Sequence, residues 1–395
     1  MAINKVEIQK FLELAKMRPV FDARSPEEFS YAHFPGAINL PLFSDEERKI
    51  VGTAYKQKGR EEAIKIGLDY FGGKMRKMVE DVEKLVASWP SVEEAENKTA
   101  DMTTAHASSS IWGHEEKVSF PEVAPASYKP TSSAVVLVHC WRGGMRSTAI
   151  AWLLDLYGFK VYLLEGGYKK FRHYVLETFK AAFNCKILGG FTGSGKTSIL
   201  NELAVKGLAV INLEALANHK GSSFGTVGPQ PSQEMFENTL AIKLQDNFVH
   251  PSASKGILLE DESQRIGAVI IPQHLWERMH GAPIYFIDIP FEERLENLLL
   301  EYGKASKKDL GDAILRIQKR LGGLETKNAI NFLNENNIRE SFRILLNYYD
   351  KSYLKSFLKR PNIVTHNKDI PCETVDVKAN ALKLIQVMEN KQLSF

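Results

Sequence analysis

The sequence predicts an α/β protein of two domains, each a parallel sheet covered by helices, with a mainly helical C-terminal region. Three observations carry that prediction. Short apolar runs alternate with stretches of helical spacing through most of the chain, and such alternation is the signature of parallel strands joined by crossover helices. Two glycine-bearing turns, at 140–147 and 190–197, each follow an apolar strand and open a helix. A polar, weakly periodic stretch from about 88 to 133 interrupts the first half as an inserted loop.

In chain order, Phe21-Asp-Ala-Arg24 ends a short strand, and Ser25 is placed to cap a helix through Glu27 and Glu28. The run His33 to Pro41 reads as turn, strand and turn. Ser44-Asp-Glu-Glu opens a helix toward Tyr55, and Glu61 to Ala87 carries apolar residues at helical spacing. Ala134 to His139 is a buried strand, followed by a helix to Tyr157, a strand Lys160–Leu164 and a helix from Tyr168 to about Phe183. Strands are then expected at Lys186–Leu188, Leu208–Leu213, Gly256–Leu259 and Pro283–Ile289, with helices after Lys196 and from Gln233 and Phe291. Asn362-Ile-Val-Thr365 is a candidate last strand. The domain boundaries that follow are 1–172, a connecting helix at 173–184, and 185–395.

A chain of 395 residues with 44% hydrophobic and 25% charged residues is long enough for two or three domains of ordinary globular composition. No N-terminal signal pattern and no apolar run of membrane-spanning length is present, so a cytoplasmic protein without membrane partners is expected. Cys140, Cys185 and Cys372 are too few and too scattered for a disulfide framework or a metal knuckle. The net charge of +3 conceals a local excess. Residues 304–360 hold thirteen Lys+Arg against six Asp+Glu, which fits either a polyanion-facing segment or a solvated helical surface.

The first glycine turn carries a thiol. Cys140-Trp-Arg-Gly-Gly-Met-Arg146-Ser147 places a cysteine between a strand end and a helix start, with Arg142 and Arg146 to stabilise a thiolate. Gly143 and Gly144 let the backbone curl into an anion nest. That spacing serves either a cysteine-dependent phosphatase or a sulfur carrier. The second turn, Gly190-Phe-Thr-Gly-Ser-Gly195-Lys196-Thr197, satisfies the G-x-x-x-x-G-K-[ST] phosphate loop in the strand-to-helix context that makes the pattern specific. Gly190, Thr192, Gly193, Ser194 and Gly195 would surround a diphosphate, Lys196 would bridge its outer oxygens, and Thr197 could hold a magnesium ion, with Glu260 as the acidic partner at the end of Leu258-Leu-Glu-Asp-Glu262. No guanine-recognition motif follows, so diphosphate recognition is better supported than GTP hydrolysis.

Asp22, Arg24, Glu28 and His33-Phe-Pro-Gly-Ala-Ile-Asn-Leu-Pro41 resemble the rhodanese signature upstream of the cysteine. With Val51-Gly-Thr-Ala-Tyr-Lys56, Ala217-Asn-His-Lys-Gly-Ser-Ser-Phe-Gly225, Glu260-Asp-Glu-Ser-Gln-Arg-Ile-Gly267, Ile317-Gln-Lys-Arg-Leu-Gly-Gly323 and Tyr348-Tyr-Asp350, the chain is similar almost end to end to the tRNA 2-selenouridine synthases. That resemblance implies a rhodanese-like α/β domain followed by a P-loop NTPase-like α/β domain. It implies an enzyme that replaces the sulfur of wobble 2-thiouridine in tRNA with selenium from selenophosphate, after S-geranylation with geranyl diphosphate. Cys140 would carry or activate selenium, Arg142 and Arg146 would bind selenophosphate or its leaving phosphate, and the loop around Lys196 would hold the diphosphate. A selenophosphate-producing enzyme then becomes a candidate partner. For tRNA contact, Arg316, Lys319 and Arg320 are spaced to share a helix face. Tyr348, Tyr349 and Tyr353 serve either as base-stacking rings or as core. The competing reading is a rhodanese-type sulfurtransferase or cysteine-dependent phosphatase fused to a P-loop small-molecule kinase.

Overall fold

The computed structural model describes residues 3–89, 134–219, 228–303, 305–360 and 367–389. The chain divides into two compact units, Met1–Glu177 and Thr178–Phe395. Most of the inserted polar stretch, part of Ala217–Gly225, and the candidate strand Asn362–Thr365 lie outside the described residues.

The first unit is built on five parallel strands: β1 (Asn4–Val6), β2 (Val20–Asp22), β3 (Ile38–Asn39), β4 (Val135–His139) and β5 (Lys160–Leu164), in the order β1-β5-β4-β2-β3. β4 sits centrally, and Val136, Leu137 and Val138 are fully buried. The reason is coverage on both faces, which permits a continuous apolar run rather than an alternating one. Ser44 starts the helix Asp45–Gln57 through a capping box: its hydroxyl accepts from Glu47 N at 3.3 Å while the Glu47 carboxylate accepts from Ser44 N at 2.8 Å. The stretch Glu61–Ala87 is two helices, Arg60–Gly72 and Met75–Ala87, because Gly72-Gly73 ends the first and Lys74 N turns back to Phe71 O.

The helix expected from Tyr168 to Phe183 spans Gly167–Thr178 and ends early. Ala181 N closes a turn onto Thr178 O, and Phe183 packs against Phe248 and under Arg278 in the second unit instead of extending the helix.

The second unit holds β6 (Cys185–Gly190), β7 (Val210–Ile211), β8 (Ile257–Glu260), a hairpin of β9 (Arg265–Ile266) and β10 (Val269–Ile270), β11 (Ile284–Asp288) and β12 (Asn367–Pro371). Its main sheet runs β12-β11-β6-β8-β7, and every pairing in it is parallel. β7 has two residues where a longer strand was expected, since Asn212 caps a short helix, Leu213–Leu216, by accepting from Ala215 N at 2.8 Å. The last quarter is helical from Phe291 to Phe357 apart from short breaks. Among the described residues no helix is long and apolar enough to cross a membrane.

Candidate functional site

In the first unit β4 delivers Cys140 to the floor of a loop closed by the helix Met145–Tyr157. The loop is held by its backbone. Tyr168 N donates to Cys140 O at 2.8 Å and Lys169 N to Trp141 O at 2.9 Å, so the start of the next helix is stitched to the thiol turn. Gly143 and Gly167 permit the approach: both have positive φ, and a Cβ on Gly167 would lie 2.3 Å from Cys140 O. The Ser147 hydroxyl lies 3.1 Å from Cys140 Sγ and 3.1 Å from Gly144 O, so its single proton can serve a sulfur anion. Burial pushes the Cys185 thiol up to about 12, which keeps it protonated near neutral pH.

Beneath the loop, Asp22 and Arg24 form a fully buried bidentate pair. Arg24 also donates to Ala32 O and lies over the Tyr168 ring at 3.8 Å. Burial alone would raise the Asp22 carboxyl, but His139 and Arg24 outweigh it and hold it low. These two signature residues therefore brace the site rather than meet a substrate. Arg142 is exposed beside the thiol turn. Arg146 faces Glu28, with Nη1 to Oε2 at 2.7 Å, and Glu28 also pairs with Arg48. Burial pushes the Glu28 carboxyl up, and the hydrogen bond and charge of Arg146 bring it below its ordinary value. The expected pair of arginines is thus one exposed cation and one held by a carboxylate.

In the second unit β6 leads into the phosphate loop, where Gly190, Gly193 and Gly195 all take positive φ. The Lys196 ammonium lies across the loop, donating to Gly190 O at 2.7 Å and Phe191 O at 3.2 Å, and Ser194 Oγ donates to Phe191 O at 2.7 Å. Side chains brace this loop from outside. Arg294 donates to Thr192 O at 3.0 Å and is gripped by both oxygens of Asp350 at 2.9 and 2.7 Å. Asn297 donates to Gly193 O at 3.0 Å. Arg294 is 3% exposed, so its charge depends on Asp350.

Thr197 Oγ1 lies 2.9 Å from Glu214 Oε2 and 3.4 Å from Glu260 Oε2, and Glu260 accepts from Glu214 N at 2.8 Å. Glu214, Glu260 and Glu262 bring their carboxylate oxygens within 4.8 Å of one another. Burial first, then Glu214, raises Glu260 to about 7, and burial with both neighbours raises Glu262 well above the carboxylate range. So crowded a set favours either a proton or a cation between the acids. The donors are all oxygen, as a hard divalent ion requires, and with Thr197 they fit a magnesium ion.

Glu214, Arg294 and Asn297 were not singled out from sequence, because each reaches the loop from a distant element, and Glu262 was visible only inside Leu258-Leu-Glu-Asp-Glu262. Asp350 was visible only inside Tyr348-Tyr-Asp350. Asp261, next to Glu260, accepts from the Tyr353 hydroxyl at 2.5 Å and pairs with Arg360. The Tyr353 ring packs on Phe191, Phe286 and Phe357, and Tyr348 and Tyr349 pack against the helical core, which favours the core reading for all three. Gln230 ties Ala217 to the β9–β10 hairpin through Ala217 O and Ile266 O.

The expectation that Arg316, Lys319 and Arg320 share one helix face is corrected. One helix, Lys307–Arg316, ends at Ile317 and a separate short helix, Gln318–Leu321, begins. Ile317 turns its side chain onto the helical core, and the break follows. All three cations are exposed. Part of the local basic excess is neutralised, since Arg339 and Arg343 pair with Glu292 and Arg360 with Asp261.

The chain thus holds one parallel α/β unit with a thiol turn at the end of its central strand and a second with a braced glycine loop leading into Lys196 and Thr197. Residues 183–375 match the model described as the tRNA 2-selenouridine synthase AAA domain. The tRNA 2-selenouridine synthase of Shewanella halifaxensis (strain HAW-EB4) is 32% identical over 403 residues, covering 93% of this chain and 97% of the relative. Those of Sulfurovum sp. (strain NBC37-1) and Shewanella denitrificans are 34% and 37% identical, covering 85% and 78% of this chain and 87% and 76% of the relatives. The chain belongs to the tRNA 2-selenouridine synthase family.

Proposed function

We propose that this chain converts wobble 2-thiouridine of tRNA to 2-selenouridine in two steps. In the first, the thiocarbonyl sulfur attacks C1 of geranyl diphosphate, the C1–O bond breaks, and diphosphate departs. Lys196 and the N–H groups of 193–197 neutralise the departing charge, and Glu214, Glu260 and Thr197 would hold a magnesium ion that shares it. In the second, the selenium of selenophosphate attacks C2 of the base, the C2–S bond breaks and geranylthiolate leaves and takes up a proton, and water attacks phosphorus so that the Se–P bond breaks and phosphate is released. Alkylation makes that sulfur a better leaving group than a bare thiolate. Cys140 activates the selenophosphate with its thiol and forms no selenium–sulfur bond, so selenium stays at the selenide level throughout, while Arg142 and Arg146 bind selenophosphate or the phosphate released from it.

The observation that carries this reading is end-to-end similarity to the synthases, with the thiol turn and the phosphate loop both intact. The basic surface at Arg316, Lys319 and Arg320 supplies phosphate contacts for the tRNA. The test is incubation with thiouridine-containing tRNA, geranyl diphosphate and selenophosphate, followed by nucleoside mass analysis. Geranylthiouridine followed by selenouridine is expected. ATP consumption with unaltered nucleosides would instead favour a sulfurtransferase or phosphatase fused to a kinase.

A further inference from the structure

The first unit contains a concavity of about 560 Å³ between the helices Asp45–Gln57 and Arg60–Gly72 and the first turn of Met145–Tyr157. Its volume lies in the range of small-molecule sites. Leu42, Phe43, Ala63 and Phe71 are its buried apolar lining. Large hydrophobics remain exposed at its mouth: Leu68 is 56% exposed, Tyr55 50% and Met145 48%. Apolar side chains left in water around a hollow mark a place where something apolar binds.

Two further features narrow the occupant. The charged residues lining the hollow are Arg48, Lys49, Lys56 and Arg146, with no carboxylate among the described lining; Arg48 and Arg146 share Glu28, which leaves the rim net positive. An apolar body with an anionic attachment is therefore the complementary ligand. The hollow also shares a wall with the thiol turn, because Met145, Arg146 and Ala149 line it while Ser147, on the same helical turn, touches Cys140 Sγ.

We propose that this hollow binds the ten-carbon prenyl chain of an S-geranylated nucleoside, with the RNA phosphates at its cationic rim, so that the sulfur to be displaced is presented at the thiol turn. The proposal rests on the two-step reading above and assigns the chain of the intermediate to the first unit. The other source of the same prenyl chemistry is geranyl diphosphate itself, and the test separates the two.

Gly52 provides the variant. It lines the hollow, lies inside a helix, and a Cβ added there meets nothing within 4 Å. Gly52→Phe therefore fills the space without a backbone clash and replaces a poor helix former, and Gly52→Ala is the control that leaves the hollow open. With full-length protein, the probes are an anticodon stem-loop bearing S-geranyl-2-thiouridine, the same stem-loop bearing 2-thiouridine, and geranyl diphosphate. Gly52→Phe is expected to weaken binding of the geranylated stem-loop about tenfold or more, on the scale set by excluding several methylenes from a pocket. Binding of the thiouridine stem-loop and transfer from geranyl diphosphate are expected to stay as in the wild type and Gly52→Ala.

Unchanged affinity for the geranylated stem-loop overturns the proposal, as does a loss confined to geranyl diphosphate. Failure of the underlying two-step reading would show differently. The wild-type protein would then leave the geranylated stem-loop unconverted by selenophosphate, whatever the binding measurements with Gly52→Phe returned.

Discussion

The thiol turn of the first unit and the phosphate loop of the second share one local plan and are secured in opposite ways. The thiol turn is secured by backbone meeting backbone: Gly143 and Gly167 approach so closely that neither position admits a side chain, and Tyr168 N and Lys169 N complete the stitching. The phosphate loop is secured by side chains arriving from the helices Phe291–Tyr302 and Ile338–Phe357, chiefly Arg294 with Asp350 behind it. A backbone brace resists enlargement at its glycines, whereas a side-chain brace fails by truncation far from the loop. The first sits close to the chemistry in sequence, and the second is spread over more than a hundred and fifty residues, from Thr192 to Asp350.

Five variants sharpen that contrast. Cys140→Ser should abolish selenium incorporation while geranylation and tRNA binding persist, as read by nucleoside mass and stem-loop binding. Selenouridine formed at the wild-type rate would remove the thiol from its assigned role. Arg294→Ala leaves Asp350 without its cation and takes the brace from Thr192 O. A loss of about 3–5 kcal/mol is expected for the second unit, the size typical of a broken buried pair. Scanning calorimetry should show that transition moving down while the first unit's holds, and coincident shifts in both would contradict the separation. Joint replacement of Arg294 and Asp350 by Met and Leu should recover part of the loss.

Lys196→Ala deletes one charge-assisted contact to the diphosphate, worth about 1.5–3 kcal/mol. Geranyl diphosphate affinity should fall about tenfold to a hundredfold, with selenation of a pre-geranylated stem-loop spared. An equal loss in both steps would mean that the two loops are not separate devices.

The smallest effect concerns Glu260. Its carboxyl titrates near 4.5 ordinarily and at about 7 in the folded protein, raised by burial and by Glu214. The folded state binds that proton more tightly, so the stabilisation is full below pH 4.5 and is lost as pH rises through about 7. Glu260→Gln should flatten melting temperature across that window, and magnesium should stabilise the wild type more at its upper end than at its lower. Identical pH profiles for the two proteins would show that the crowded carboxylates do not titrate there.

Legibility in the sequence followed the range of the interactions. The α/β class, the strands β4, β6 and β11, and both loops were readable because alternation, glycine spacing and caps are encoded within a few neighbouring residues. The broken helix at Gly72-Gly73 and the stop at Thr178 were missed for different reasons. The first depended on a local glycine pair within an otherwise helical spacing, and the second on where Phe183 finds partners. Arg24 and Asp22, read as part of a signature, turned out to be a buried foundation.

By itself the sequence determined which residues could do chemistry: one thiol beside a glycine turn, one lysine in a phosphate loop, and the family to which that pairing belongs. Only the tertiary structure decided which charges remain available, because Arg146 meets Glu28, and Arg294 and Asp350 meet each other, through contacts that no local spacing encodes. It also brought Glu214, Glu260 and Glu262 together and opened an apolar hollow beside the thiol. Such arrangements depend on how helices and strands distant in the chain pack over a sheet, and packing, unlike a turn, is specified jointly by residues that never neighbour one another in sequence.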